Sequence, residues 1–161
     1  MQIRNYADSD WPSVWPIFRE VVTAGETFPY DLDWSSEQAQ AVWVESPPGH
    51  TVVAYDGTRV LGTAKMGSNR PARGSHVSTA SFMVAVEARG RGVGRALTEY
   101  ALSWARERRY AAMQFNAVVA SNHAAVKLYQ AVGFRIIGTV PEAFEHPKLG
   151  RVGLHIMHRP L

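Results

Sequence analysis

The segment that most constrains the fold is a strand-like run that passes through a glycine-rich turn into an amphipathic helix. Residues 81–86 are largely apolar and of strand type, and three glycines follow at alternate positions within 90–94. The next residues have the spacing of a helix with one apolar face. The side chains predicted on that face are Leu97, Ala101, Trp104 and Ala105.

A strand, a glycine turn and a helix in this order are typical of a site where backbone binds phosphate. The first amides of a helix have no intrahelical partner, and the helix dipole favours an anion beside them. Glycine also lets backbone approach the phosphate oxygens closely. We therefore predict a phosphate-binding loop, although a plain solvated basic turn is the alternative. Its residues are Arg89, Gly90, Arg91, Gly92, Val93, Gly94 and Arg95.

The glycine spacing distinguishes among phosphate loops. A P-loop needs a lysine after its last glycine, and a dinucleotide fingerprint needs a third glycine where Arg95 stands. Residues 89–94 instead fit Arg/Gln-x-x-Gly-x-Gly/Ala. This pattern resembles the pyrophosphate loop of the GNAT N-acetyltransferase superfamily, whose members hold acetyl-coenzyme A (acetyl-CoA) there.

A second segment strengthens this resemblance. Residues 122–134 match the superfamily pattern Asn-x-x-Ala-x-x-Leu-Tyr-x-x-x-Gly-Phe, and they follow the loop after one predicted helix and one predicted strand. The apolar spacing is helical, and Gly133 falls where a left-handed C-cap belongs. On helical spacing alone, Tyr129 could equally be an ordinary core aromatic. The matching residues are Asn122, Ala125, Leu128, Tyr129, Gly133 and Phe134.

Composition fits one globular domain over residues 1–161 with 46% apolar residues. The net charge of +3 is too small to indicate a nucleic-acid surface. No apolar run reaches a membrane span and no signal-peptide core is evident, so a cytoplasmic location is expected. The absence of cysteine excludes disulfides, thiolate metal sites and a cysteine acyl intermediate. We expect no metal, since His155 and His158 would face opposite sides of a strand.

The predicted elements follow the order βααβββαβαββ, which is the GNAT order. The resemblance implies an α/β fold whose mixed, mostly antiparallel sheet is splayed at the acetyl-CoA site and carries helices on both faces. Pro16 is expected to distort or split the first helix. The predicted strands are 2–6, 51–55, 60–67, 76–86, 112–119, 134–139 and 152–158, and the helices are 11–22, 36–46, 92–108 and 122–132.

The resemblance implies transfer of acetyl from acetyl-CoA directly onto an amine. The strand Phe82-Met83-Val84 would pair with pantetheine, and a backbone N–H of Met83 or Val84 would stabilise the oxyanion. Tyr129 would protonate the departing thiolate with an unperturbed pKa near 10. Asn122 would bond the pantetheine arm or shape the splay between strands.

Four residues are candidates for the general base: Glu26, His76, Asn116 acting through water, and Glu145. The acidic and aromatic residues of loops 25–34 and 141–146 predict a pocket of negative potential with apolar walls. Such a pocket favours a small-molecule amine or amino-acid-like acceptor, which Asn116 would orient.

A finer resemblance is to the azetidine-2-carboxylate acetyltransferases, in which two asparagines six residues apart, here Asn116 and Asn122, line the acceptor site. Thr79 departs from that subgroup, which has another asparagine there. The alternative class is a non-catalytic acyl-CoA-binding or regulatory module. A nucleic-acid-binding domain is disfavoured, because the basic residues of this chain are not interleaved with aromatic ones. A homodimer is expected, with residues 153–158 forming a strand at or near the sheet edge.

Overall fold

The computed structural model describes all 161 residues and contains seven strands and four α-helices in the predicted order. The strands are β1 Gln2–Asn5, β2 His50–Asp56, β3 Arg59–Ser68, β4 Val77–Val84, β5 Ala112–Val119, β6 Arg135–His146 and β7 Gly150–Pro160. The helices are α1 Trp11–Ala24, α2 Ser36–Trp43, α3 Val93–Glu107 and α4 His123–Ala131. The predicted fold class and element order are confirmed.

All strands form one sheet in the order β1-β2-β3-β4-β5-β7-β6. Every neighbouring pair is antiparallel except β4 and β5, which are parallel. That parallel pair is joined only where Val77 faces Ala112 and Ser78 faces Met113. Beyond these residues the two strands separate, so the sheet carries the expected splay between β4 and β5.

The two faces of the sheet carry different helices. Thr63 on β3 accepts a hydrogen bond from the indole N–H of Trp43 in α2 at 3.1 Å, so it points to the α1/α2 face. The adjacent Gly62 lies against Val93 and Leu97 of α3. Successive strand residues alternate between faces, which places α1 and α2 on one side and α3 on the other. None of the helices is both long and apolar enough to cross a membrane.

Local sequence explains how the helices begin and end. Ser35 caps α2 by accepting from the amide of Gln38, whose side chain accepts from the Ser35 amide in return. Pro16 does not split α1, which is continuous. A proline there removes a single amide from the hydrogen-bond ladder, and that loss is small beside the apolar face that α1 buries. The second helix ends at Trp43 instead of Ser46, because Val44 is extended with ψ 114°.

The C-terminal strands differ from the sequence prediction. Residues 141–146 are not a loop, because they complete the 12-residue strand β6. Register shifts interrupt its pairing with β7 between Ile136 and Gly138 and between Val140 and Phe144. Strand β7 lies one position inside the sheet and β6 forms the edge. An edge strand tolerates the proline and charges of this segment, which resemble a loop in sequence.

Candidate active site

The glycine loop between β4 and α3 is an open turn followed by a helix N-terminus. Gly90 and Gly92 have φ angles of +73° and +81°, which strongly favour glycine. A Cβ at either position would meet no atom within 4 Å, so the outer side of the turn is free. Arg89, Arg91 and Arg95 are exposed around it.

The first turn of α3 leaves its amides available. Gly92 is the N-cap residue and has no side chain to accept from them. The helical ladder begins with the Ala96 amide, which donates to the Gly92 carbonyl at 3.0 Å. The amides of Val93, Gly94 and Arg95 therefore have no backbone partner and lie at the positive end of the helix dipole. This arrangement can bind a phosphate or pyrophosphate group.

The loop leads into a groove between α3 and α4. A Cβ at Gly94 would lie 3.6 Å from Leu128 of α4 and 3.8 Å from Val84 of β4. The Val93 side chain instead points into the core and is 1% exposed. A side chain longer than a methyl group at position 94 would therefore enter the space between the loop and the gap in the sheet, while Val93 anchors the helix.

Backbone amides of β4 face the gap. The Ala85 amide donates to the Leu61 carbonyl at 2.9 Å, which fixes the alternation of the β3–β4 ladder. In that alternation the Met83 amide faces β3, and the amides of Phe82 and Val84 face β5. Strand β5 has already separated there, so these two amides have no strand partner. Of the two backbone amides that the sequence analysis named for the oxyanion, that of Met83 is directed at β3 in the ladder, and that of Val84 is free.

Tyr129 spans the gap on the α3/α4 face. Its ring centroid lies 6.1 Å from that of Phe82 on β4 and 4.6 Å from that of Phe115 on β5. Phe134 completes the cluster at 6.0 Å. The ring is therefore packed against the core while it stays partly exposed, and its hydroxyl makes no hydrogen bond to the protein. Burial raises the pKa of Tyr129 well above 10, which corrects the expectation of an unperturbed value.

Asn122 is the N-cap of α4, and its side-chain oxygen accepts from the Ala125 amide at 3.3 Å. Its NH₂ group makes no hydrogen bond to the protein and is free for another partner. Gly133 ends the same helix with a φ of +94°, as the left-handed C-cap prediction requires. The second motif therefore holds Tyr129 in place through both ends of α4.

A cleft of about 410 Å³ opens on the α1/α2 face at the level where β4 and β5 separate. Its floor comes from three strands and includes Lys65, Thr79, Ser81 and Asn116, and its walls come from the two segments that flank α2. The Asn116 amide group donates to Asn69 at 2.6 Å and accepts from Gln114 at 2.8 Å. The lining residues are Tyr30, Glu45, Ser46, Pro48, Gly49, Lys65, Met66, Gly67, Ser68, Thr79, Ala80, Ser81 and Asn116.

The cleft is not the negative pocket with apolar walls that the sequence predicted. Its charged residues are one cation, Lys65, and one anion, Glu45. The predicted walls are aromatic, but Phe28 and Trp34 are stacked on Tyr30 at 5.4 and 5.2 Å behind the cleft surface. The lining is mostly polar because three strands expose hydroxyl groups and backbone there.

The other base candidates lie outside the cleft. Glu26 forms an ion pair with Lys148 of the β6–β7 turn at 3.1 Å, and this contact lowers the pKa of its carboxyl. His76 is exposed just before β4, and Glu145 is exposed on β6. Of the residues proposed to serve the acceptor, the structure brings Asn116 to the cleft. No group of three or more His, Cys, Asp or Glu side chains is arranged to hold a metal ion.

Sequence reasoning missed Lys65 and Glu45. Their side chains approach to 3.4 Å although they come from β3 and the segment after α2. No local motif marks them, because the β2–β3 register brings Lys65 beside Thr51, whose hydroxyl accepts from the Glu45 amide. A lysine inside an otherwise apolar strand, residues 60–66, was the one available signal.

Residues 4–134 match the acetyltransferase (GNAT) family. A solved GCN5-related N-acetyltransferase from Kribbella flavida is 56% identical, with a TM-score of 0.97 over 99% of this chain and 97% of that one. A phosphinothricin acetyltransferase from Sinorhizobium meliloti, solved in complex with acetyl-CoA, shares the fold with a TM-score of 0.89 at 24% identity, over 99% of this chain and 88% of that one.

Two curated yeast proteins are also similar. N-acetyltransferase aca1 of Schizosaccharomyces pombe is 27% identical over 137 residues, which cover 76% of this chain and 66% of that protein. Protein SPT10 of Saccharomyces cerevisiae is 32% identical over 73 residues, which cover 45% of this chain and 11% of that protein. The chain thus spans only part of the length of these relatives. It belongs to the acetyltransferase (GNAT) family.

Proposed function

We propose that this GNAT-family chain is an acetyl-CoA-dependent N-acetyltransferase that acetylates a small amine or amino-acid-like acceptor by direct attack. One observation carries the proposal: the gap between β4 and β5 separates two different sites. An anion-binding loop and Tyr129 lie on the α3/α4 face, and a polar cleft with Asn116 lies on the α1/α2 face. An acetyl group in the gap would be reached from both sides.

The chain's own groups suit the demands of acetyl-CoA. The loop 89–95 and the α3 amides would hold the pyrophosphate. The Phe82 amide would pair with the pantetheine arm, with Asn122 beside α4 offering its free NH₂ group. The Val84 amide would donate to the oxyanion that forms when the amine nitrogen attacks the acetyl carbon.

Collapse of the tetrahedral intermediate breaks the carbon–sulfur bond, and the thiolate then needs a proton. We assign that proton to the Tyr129 hydroxyl, which has no competing partner in the protein. Its raised pKa keeps it protonated at neutral pH. The aromatic cluster holds the ring across the gap, so a single side chain can serve packing and proton transfer.

The amine loses its own proton on the cleft side. Asn116 is placed to orient the acceptor or a water molecule that carries the proton away. Glu26 would act less directly: its ion pair with Lys148 ties loop 25–34 to the β6–β7 turn, and that loop carries Tyr30 into the cleft wall. The finer proposal of an imino-acid acceptor is supported by Asn116 in the cleft and weakened by Thr79 beside it.

The alternative is an acyl-CoA-binding module without catalysis. Both functions predict acetyl-CoA binding, so turnover separates them. The test is an acceptor panel read by free thiol release, containing plain amines, amino acids, azetidine-2-carboxylate and short peptides with a free N-terminus. Turnover with a small acceptor supports the proposal, and binding of acetyl-CoA without turnover of any acceptor supports the module.

We also propose that residues 1–161 form a single domain that assembles as a homodimer through β6. This strand is the sheet edge, and Ile137 and Val140 are 61% and 47% exposed on it. Exposed apolar edges favour pairing with a second chain. Solution scattering at micromolar concentration should give twice the monomer mass, and Ile137→Arg should halve it. A monomer mass for the unmodified chain would refute the dimer.

A further inference from the structure

Lys65 is the one cation of the acceptor cleft, and it is held in a fixed position. Its ammonium group donates to the Val42 carbonyl at 2.7 Å and pairs with Glu45 at 3.4 Å. It also lies 5.8 Å from the centre of the Trp43 ring. An ammonium group has three N–H donors, so one of them is left without a protein acceptor.

The groups around Lys65 are mainly hydrogen-bond donors that the protein does not use. The Ser68 hydroxyl donates to a backbone carbonyl, but those of Thr79 and Ser81 make no hydrogen bond to the protein. The Tyr30 hydroxyl is also free, and burial followed by the charge of Glu45 raises its pKa, so it remains a donor. This surplus of donors beside a cation suits a carboxylate.

The strand register places this donor group at a short distance from the gap. Lys65 and Ser81 are direct cross-strand neighbours and point to the same face. Continuing the β4–β5 register beyond Ser78 and Met113 brings Ser81 level with Asn116 across the gap. Neighbouring strands lie about 4.8 Å apart. The Lys65 side chain extends from that neighbouring strand toward Val42 of α2. A compact amino acid can therefore place its amine at the gap and its carboxylate in the cleft beside Lys65.

We propose that Lys65 binds the carboxylate of the acceptor, so that the preferred acceptor is a compact amino or imino acid and not a plain amine. The inference rests on the proposed function and names the substrate class of the same site. The free N–H of Lys65 takes one carboxylate oxygen, with Tyr30 and Ser81 available to the other. Glu45 balances the charge of Lys65 while the cleft is empty.

The test compares the best amino acid of the panel with its own primary carboxamide, which keeps the amine and the side chain. For the unmodified chain we expect kcat/KM to favour the acid. In Lys65→Met this preference should fall by roughly ten- to a hundredfold, because a charge-assisted hydrogen bond is lost. Lys65→Arg should keep most of it. Amidation also alters the pKa of the amine. The quantity compared between variants is therefore the ratio of kcat/KM for the acid to kcat/KM for the amide.

Arg19→Met, which removes an exposed cation from α1, is the matched control and should leave the ratio unchanged. Melting curves check that each variant is folded. The inference is overturned if Lys65→Met affects acid and amide equally, or affects neither.

Calorimetry with the CoA-loaded protein keeps this test separate from the proposed function. If no acceptor is turned over, the acetyltransferase proposal fails. The role of Lys65 can still be tested by binding: the unmodified chain should bind the acid more tightly than the amide, and Lys65→Met should bind the two equally. Equal binding of acid and amide by the unmodified chain overturns the role of Lys65 even if plain amines are acetylated.

Discussion

The two faces of the gap between β4 and β5 are built in different ways. On the α3/α4 face, backbone amides of one continuous segment, residues 82–95, present the anion site and the free strand edge. On the α1/α2 face, side chains from widely separated positions, including Tyr30, Lys65 and Asn116, line the cleft. A backbone site can remain while most side chains change, whereas a side-chain site changes with single substitutions. Under the proposed function, the acetyl donor would therefore be bound mainly by backbone and the acceptor selected by side chains.

Tyr129→Phe should have the largest effect, because this residue belongs to the donor face but acts through its side chain. Loss of the hydroxyl should lower turnover by roughly 10²-fold and leave acetyl-CoA affinity within a few-fold. Tyr100→Phe is the control, because it alters a tyrosine of α3 that stacks on His50 and lies away from the gap in the sheet. Unchanged turnover together with lower stability would assign Tyr129 to packing alone.

The pH dependence of the same step follows from the raised pKa of Tyr129. A phenol whose pKa is raised by burial keeps its proton to a higher pH than a free phenol does. The acid-competent form is lost only above the raised value. Single-turnover rates with acetyl-CoA bound should therefore not fall on the alkaline side below pH 10. A decline centred between pH 8 and pH 10 that is absent from Tyr129→Phe would contradict this.

Gly92→Val tests the backbone half of the comparison. A β-branched residue at a φ of +81° should distort the N-terminus of α3 and weaken acetyl-CoA binding by more than tenfold, or about 1.4 kcal/mol. Gly150→Val is the matched control. Gly150 has a φ of +71° and a Cβ there would also meet no atom within 4 Å, but it is the first residue of β7, far from the loop in sequence. Gly150→Val should lower the stability, but calorimetry should show no such loss of acetyl-CoA affinity. Equal affinity losses would mean that strain, and not the loop, is responsible.

The same contrast explains what could be predicted from sequence. The donor face was predictable because glycine spacing, helical periodicity and the C-cap at Gly133 are local signals. The cleft was predictable only in part. Asn116 and loop 25–34 were expected there, but the pairing of Lys65 with Ser81 depends on strand register, which no short segment encodes. Residues 141–146 were predicted as a loop for a related reason: an edge strand pairs on one side only, so it accepts Pro141 and a register shift at Val140.

Asn116→Ala should have a moderate effect that is confined to the acceptor. Removal of one hydrogen bond to the acceptor or its water should raise the acceptor KM about three- to tenfold, with acetyl-CoA affinity unchanged. Gln114→Ala is the control, because Gln114 donates to Asn116 at 2.8 Å but does not line the cleft. Initial-rate kinetics on the best acceptor distinguish the two. If Gln114→Ala matches Asn116→Ala, the amide of Asn116 supports the strand and does not contact the acceptor.

Glu26→Ala should have the smallest effect, because Glu26 is proposed to act on the cleft through the loop it anchors. At neutral pH its lowered pKa keeps it ionised beside Lys148, so loss of the carboxylate frees the loop that carries Tyr30. The ion pair is exposed, so water and salt screen it and its contribution is small. We expect the acceptor KM to rise by no more than about fivefold. Lys148→Met should produce the same rise, and the double variant should add nothing further, because both changes break one contact. Additive effects, or a loss of kcat in Glu26→Ala alone, would instead give Glu26 a direct part in the reaction and would make the acceptor site larger than the cleft.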